Sequence, residues 1–324
     1  MIIAIIEHDR GTLHNASLEM LTVARALAAD RDTSLAALLI GESGREIVKT
    51  LGAYGVPVAY LAVDDSLEDY APRAWAESAL AVMDQENVEV VLAAGTDRGH
   101  EVLAHVASLA DLPLAANCLE VKLDDERCRV TRQRWGGSLL EEAELRGETY
   151  LLSIAPHLIP AEETPLDGEV EIREFQPSFS DRAFRVQVTG REQDEKAGIS
   201  LTDARVVIGG GRGVGGAEGF TALEELADLL DGAVGGSRVA TNNGWRPHKD
   251  QIGQTGNRIA PDLYIACGIS GAIQHMVGCQ GAKNILAINT DPQAPIMEKA
   301  DYVVVGDLHE VVPAIVDEVK QRKR

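Results

Sequence analysis

Strand-like and helix-like segments alternate from the first residue of this chain, and that rhythm constrains the fold more than any other feature. Residues 1–7, 34–40, 58–63 and 88–94 read as strands. Between and after them, 17–29, 45–51, 70–85 and 100–110 carry apolar residues at helical spacing, the last stopping before Pro113. A βαβα order of this kind predicts a parallel sheet covered by helices on both faces. The next apolar runs, 119–123, 127–134, 139–145, 149–154 and 169–175, are shorter and more polar. They are expected to extend the same sheet in antiparallel fashion.

From Thr189 to Ser200 the chain turns polar, with few residues able to enter a core. This is the best linker candidate, and a length of 324 residues suits two domains, here taken as 1–190 and 191–324. Beyond the linker the alternation restarts. Strands are expected at 204–208, 233–234, 263–266, 285–288 and 302–305, with helices at 217–230, 272–278 and 308–320. The fold class is therefore α/β in both halves.

Several function classes are disfavoured. A net charge of −21 argues against nucleic acid or an anionic membrane surface as the main partner. No apolar run reaches the roughly 18 residues that span a bilayer. The start of the chain has no basic segment or cleavage site and reads as a first strand. Cys118, Cys128, Cys267 and Cys279 form no Cys-x-x-Cys pair, so no metal site is expected; buried free thiols in a reducing cytoplasm are.

The chemistry concentrates in the second half. Gly211, Gly213 and Gly216 satisfy Gly-x-Gly-x-x-Gly between a strand and a helix, where backbone N–H groups can approach a pyrophosphate. A ligand-free tight turn is the alternative. An NAD site would carry an acid at the end of the next strand, but Ser237 and Arg238 stand there. A fixed cation suits a reduced, anionic ring, although a surface arginine paired with an acid reads the same way. Gln254, Thr255 and Gly256 offer an amide, a hydroxyl and a flexible backbone to the edge of a heteroaromatic ring. Ser270 and Gly271 open a helix in which His275 lies one turn on. Protonated, that imidazole would favour an anionic ring; packed, it would be one more core residue. Asn289 and Asp307 follow apolar strands, where sugar and adenine contacts are common in open sheets.

Read together, these motifs resemble the alpha subunit of the electron-transfer flavoproteins. The resemblance runs through Gly210–Gly213, Ser237-Arg238, Gln251–Gly256, Ala260–Ala266, Gly268–His275, Ile288–Pro292 and Ala300–Tyr302, and more loosely through Ala94–Gly99 and Leu109–Pro113. It implies an N-terminal domain of the nucleotide-hydrolase-like α/β kind that contacts a beta subunit, and a C-terminal Rossmann-like domain that holds one FAD. By that similarity Arg212, Ser237, Arg238, Ile252, Gly253, Gln254, Thr255, Ser270, Gly271, Ala272, Ile273, Gln274, His275, Asn289, Asp307 and Leu308 line the FAD. Arg238 lies over the flavin ring, Thr255 near its N5 and His275 near its O2, tuning the cofactor with no catalytic acid or nucleophile. The resemblance further implies an electron carrier rather than an enzyme with its own substrate. Its donors would be flavin dehydrogenases such as the acyl-CoA dehydrogenases of fatty acid beta-oxidation, and its acceptor a quinone reductase. The alternative is a subunit of an electron-bifurcating flavoprotein that oxidises NADH with a second FAD on beta. The chain departs from the family at Val239–Trp245, at Gln133–Ser138 and at Ile154–Pro156, which bears on the beta-subunit contact more than on FAD.

Overall fold

A computed structural model describes residues 1–124, 127–135, 139–157, 159–190 and 199–323. The chain forms two compact units, Met1–Glu192 and Gln193–Arg324. Most of the 189–200 linker and the end of the 133–138 run lie outside the described residues.

In the first unit β1 (Ile2–Ile5), a short hairpin of β2 (His8–Asp9) and β3 (Thr12–Leu13), and α1 (Asn15–Asp30) come first. Then follow β4 (Leu35–Ile40), α2 (Val48–Ala53), β5 (Val58–Ala62), α3 (Pro72–Met83), β6 (Val90–Ala94) and α4 (Asp97–Ala110). The chain continues through β7 (Leu114–Leu123), β8 (Cys128–Arg134), β9 (Leu139–Leu145), β10 (Tyr150–Ile154) and β11 (Glu171–Phe175). Nine of these strands form one sheet in the order β11-β5-β4-β1-β6-β10-β7-β8-β9. One face packs on Met20, Leu21 and Leu27 of α1 and Leu51 of α2. The other packs on Trp75, Ala79 and Val82 of α3 and Val102, Leu103 and Val106 of α4. The central strands are apolar throughout because both their faces are covered. Thr96 caps α4 by accepting from the Gly99 amide at 3.0 Å, and left-handed Asp111 ends the helix before Pro113.

The antiparallel extension is smaller than the residue pattern suggests. Within the nine-stranded sheet, among the described residues, only the pairings of β7 with β8 and β8 with β9 are antiparallel. β10 lies parallel between β6 and β7, and β11 lies parallel to β5 at the opposite edge. All five residues of β10 are buried, which a central position requires. Its neighbours come from distant parts of the chain, so its pairing could not be read from local pattern.

The second unit runs β12 (Val206–Gly210), α5 (Thr221–Leu229), β13 (Ala233–Gly236), α6 (Arg238–Asn242), β14 (Leu263–Cys267), α7 (Ile273–Cys279), β15 (Ile285–Asn289), β16 (Tyr302–Val305) and α8 (Leu308–Arg322). Its five-stranded sheet is wholly parallel, ordered β13-β12-β14-β15-β16. Leu223 and Leu226 of α5 and Val312 and Val316 of α8 pack on one face. Met276 and Cys279 of α7, with Ile252 and Ile259, pack on the other. The direction of the strand order reverses between β12 and β14. In open α/β sheets that reversal leaves a crevice outside the carboxyl ends of the strands.

Candidate functional site

A cavity of about 780 Å³ opens at that crevice, wholly within the second unit. Each strand end supplies part of the wall. The turn after β12 brings Arg212 and Gly213; the end of β13 brings Ser237 and the α6 residues Arg238, Val239 and Asn242. A loop from Gln251 to Thr255 closes one side, and the β14–α7 connection brings Ser270, Ala272, Gln274 and His275. Asn289 at the end of β15, and Asp307 and Leu308 at the start of α8, complete it. Gly271 and Ile273 stay off the wall. Gly271, at φ +81°, is pressed against the Ile296 backbone, and the Ile273 side chain is 71% exposed.

The glycine run plays a different part from the one its pattern suggests. The Gly211 amide donates to the Cys267 carbonyl at 2.8 Å and the Gly213 amide to the Gly268 carbonyl at 3.1 Å. Both N–H groups are thus engaged in joining the ends of β12 and β14 and are not free for a pyrophosphate. A Cβ at Gly211 would stand 2.2 Å from the Gly268 oxygen, so close backbone approach is what requires glycine there. Of the three motif glycines, only Gly213 reaches the cavity.

The polar groups of the wall fall into two sets. Some are already engaged. Asn289 donates to the Ile269 carbonyl at 2.9 Å and accepts from the Asp291 amide at 3.0 Å. Asp307 caps α8 by accepting from the His309 amide at 2.9 Å. Gln251 is buried and links Thr241, at 2.9 Å, to Thr255, at 3.0 Å. That relay fixes the Thr255 hydroxyl in the cavity mouth. Others make no hydrogen bond of good geometry within the protein. The Ser237 Oγ and the His275 Nδ1 are buried without a hydrogen bond of good geometry. Among the described residues no ion pair holds Arg212 or Arg238, in a chain with 51 acidic and 30 basic residues.

His275 is 8% exposed, and its Nε2 lies 2.8 Å from the Tyr264 hydroxyl. Burial pushes the imidazole down to about 4, against a smaller upward pull from the Ile252 carbonyl. The ring is therefore neutral near pH 7, as the packed alternative has it. Gln251 and Tyr264 fall in runs that carry the resemblance but, like Thr241, were given no site role from sequence. Gln251 could have been found, since it opens the same loop as Thr255. Tyr264 sits inside an apolar strand and reads there as core.

Comparison with known proteins bears on what fills the cavity. Residues 2–180 match the family model of the electron transfer flavoprotein domain. Residues 200–280 match that of the electron transfer flavoprotein FAD-binding domain. The electron transfer flavoprotein subunit alpha of Thermoanaerobacterium thermosaccharolyticum is 33% identical over 319 residues, covering 98% of this chain and 97% of that protein. The subunit alpha of Mycobacterium tuberculosis is 36% identical over 324 residues, covering 99% of each. Protein FixB of Clostridium saccharobutylicum is 32% identical over 319 residues, covering 97% of this chain and 95% of its own.

The chain belongs to the electron transfer flavoprotein alpha-subunit family. The cofactor of this alpha-subunit family's C-terminal domain is FAD, and the cavity fits it on its own chemistry. Its volume lies within the roughly 300–1,000 Å³ of small-molecule and cofactor sites. Two buried polar atoms in its wall make no good hydrogen bond within the protein, and two guanidinium groups without an ion pair among the described residues bring positive charge to an anionic ligand. An electron transfer flavoprotein alpha subunit of this sequence has, among its described residues, no helix long and apolar enough to cross a membrane.

Proposed function

We propose that this chain is the FAD-carrying alpha subunit of a heterodimeric electron carrier, paired with a beta subunit. It takes electrons from flavin dehydrogenases, among them acyl-CoA dehydrogenases, and passes them to a quinone reductase or another acceptor in the cytoplasm. The observation that carries the reading is the pair of buried, unpartnered atoms, Ser237 Oγ and His275 Nδ1, in one cavity wall at the sheet's reversal point.

When bound, the flavin supplies the electron-accepting chemistry, and the protein supplies binding, orientation and electrostatics. Arg212 and Arg238 bring positive charge to the rim, and arginine keeps that charge at any working pH. The Ser237 hydroxyl and the Thr255 hydroxyl, the latter held by Gln251, orient the polar groups of the ligand. His275 contributes a dipole from a ring that carries no charge near neutrality. No nucleophile or general acid is called for, because electrons are exchanged with partner proteins rather than with a small substrate.

The first unit, residues 1–190 in the sequence division, is assigned the beta-subunit contact. Trp135, Leu139 and Leu140, on or beside β8 and β9, are 79%, 53% and 68% exposed and support that assignment. Large apolar side chains left exposed along one edge of a sheet are what a contact with another protein would bury. The four cysteines, all buried and unbridged, support a reducing compartment.

The test is to purify this chain with its beta subunit, record the absorption spectrum, and release and identify the flavin. One FAD per heterodimer is expected. Two would make the pair a bifurcating flavoprotein. None, after incubation with excess FAD, would overturn the reading.

A further inference from the structure

The imidazole in the cavity wall is held from behind. Tyr264, on β14, is completely buried and is not part of the wall, whereas His275 is. The two rings lie 6.1 Å apart, tilted by 30°, with the phenol oxygen 2.8 Å from Nε2. The hydroxyl reaches that point across the neighbouring strand β12, over Gly209. A Cβ at 209 would stand 2.3 Å from the Tyr264 oxygen, so any other residue there would displace it.

The bond has two conceivable polarities, and burial separates them. If Nε2–H donated to the phenol, the phenol's own hydrogen would be sealed in the core. Among the described residues the Tyr264 oxygen has no second partner to receive it. The Nδ1 would then present a bare lone pair. If the phenol donates, its hydrogen is used, and the one hydrogen left over sits on Nδ1, where the Ile252 carbonyl, itself on a residue of the cavity wall, offers an acceptor. A buried donor without an acceptor is costly, so the second arrangement wins. Burial also pushes the Tyr264 hydroxyl far up, which keeps its proton in place to be donated.

We propose that Tyr264 donates to His275 Nε2, fixes the ring as its Nδ1–H tautomer, and so makes His275 a hydrogen-bond donor to a carbonyl oxygen of the flavin ring. Tyr264 is then a positioning residue, and Gly209 is the gap that admits it. The identity of the acceptor rests on the FAD reading above; the tautomer does not. The pattern is that of metal-bound histidines, whose second nitrogen is oriented by a partner behind the ring.

The experiment is long-range proton–nitrogen correlation NMR on the heterodimer with 15N-labelled histidine, flavin-free and FAD-loaded. The His275→Gln variant identifies the His275 signals. A single Nδ1–H tautomer is expected in both states. Tyr264→Phe, which keeps the ring and removes the hydroxyl, is expected to give a mixture of tautomers. It should also weaken FAD binding about fivefold, as loss of one well-placed hydrogen bond does, and lower the flavin midpoint potential. An Nε2–H tautomer or an imidazolium in the unmutated protein overturns the proposal. So does a Tyr264→Phe protein whose tautomer and potential are both unchanged. Should that variant fail to fold, the tautomer of the unmutated protein decides. If no FAD binds, the functional reading fails, while the flavin-free spectrum still tests the tautomer.

Discussion

Ser237, in the proposed site, would serve a ligand at the expense of the fold. Its hydroxyl is buried and unpartnered, and an unmet buried polar group costs about 1–3 kcal/mol. Ser237→Ala is therefore expected to make the flavin-free protein as stable or more so, by up to about 1 kcal/mol. The same variant should bind FAD roughly five- to tenfold more weakly. Urea unfolding and equilibrium titration with FAD measure the two effects, and a variant that loses stability while keeping its affinity would remove Ser237 from the site. His275 gives a pH dependence whose sign follows from its depressed value. Between about 6.5 and about 4 the unfolded chain takes up a proton that the folded one refuses. Its contribution is complete above 6.5 and is lost as the pH falls through that window. In the flavin-free protein, His275→Gln should flatten the stability profile there by up to about 3 kcal/mol, read from unfolding at a series of pH values. The cavity residues were legible in sequence largely because they are small, polar or charged groups immediately after apolar strands. Tyr264 was not, because nothing within Leu263–Cys267 distinguishes a tyrosine that packs from one that also orients a histidine on another element.

At the scale of elements, the joint between β12 and β14 organises the site. Gly268 adopts φ +62°, and a Cβ there would stand 2.7 Å from the Gly213 Cα. Gly268→Ala is expected to destabilise the second unit by about 2 kcal/mol or more, through both a strained backbone and a direct clash. FAD affinity should fall with it, because the same joint carries Arg212 and Ser270 into the wall. Calorimetry of the variant, flavin-free and loaded, would show both. The helices and the parallel strands of the first unit follow local pattern well, as at Pro72–Met83 and Leu35–Ile40. β10 and β11 did not, since a short run says that it is a strand without saying where in the sheet it inserts. The glycine motif left two readings open for a related reason. Spacing shows that backbone comes close to something, and here the something is another strand.

At the scale of the whole molecule, each unit has its own pair of cores, one on either face of its sheet. A ligand confined to the second unit stabilises what it touches. At a free FAD concentration of one hundred times the dissociation constant, the gain is about 2.7 kcal/mol, or about a hundredfold in protection. Hydrogen exchange of the heterodimer is expected to slow by that order in β12–β15 on adding FAD, and to stay unchanged in β1, β4 and β6. Equal protection of both sheets would show that the two units do not respond separately.

The amides of Gly211 and Gly213 carry one more implication, for how this scaffold can change. An ancestor or a designer wishing to turn the site to NAD would look first to the end of β13 and place an acid there for the ribose. That single exchange is expected to fail. The phosphate end of a dinucleotide would still find the amides of Gly211 and Gly213 committed to the neighbouring strand, and would depend on side-chain cations. The route between the two cofactors therefore passes through remodelling of a strand junction rather than through a point mutation, which makes the specificity of this domain hard to drift away from.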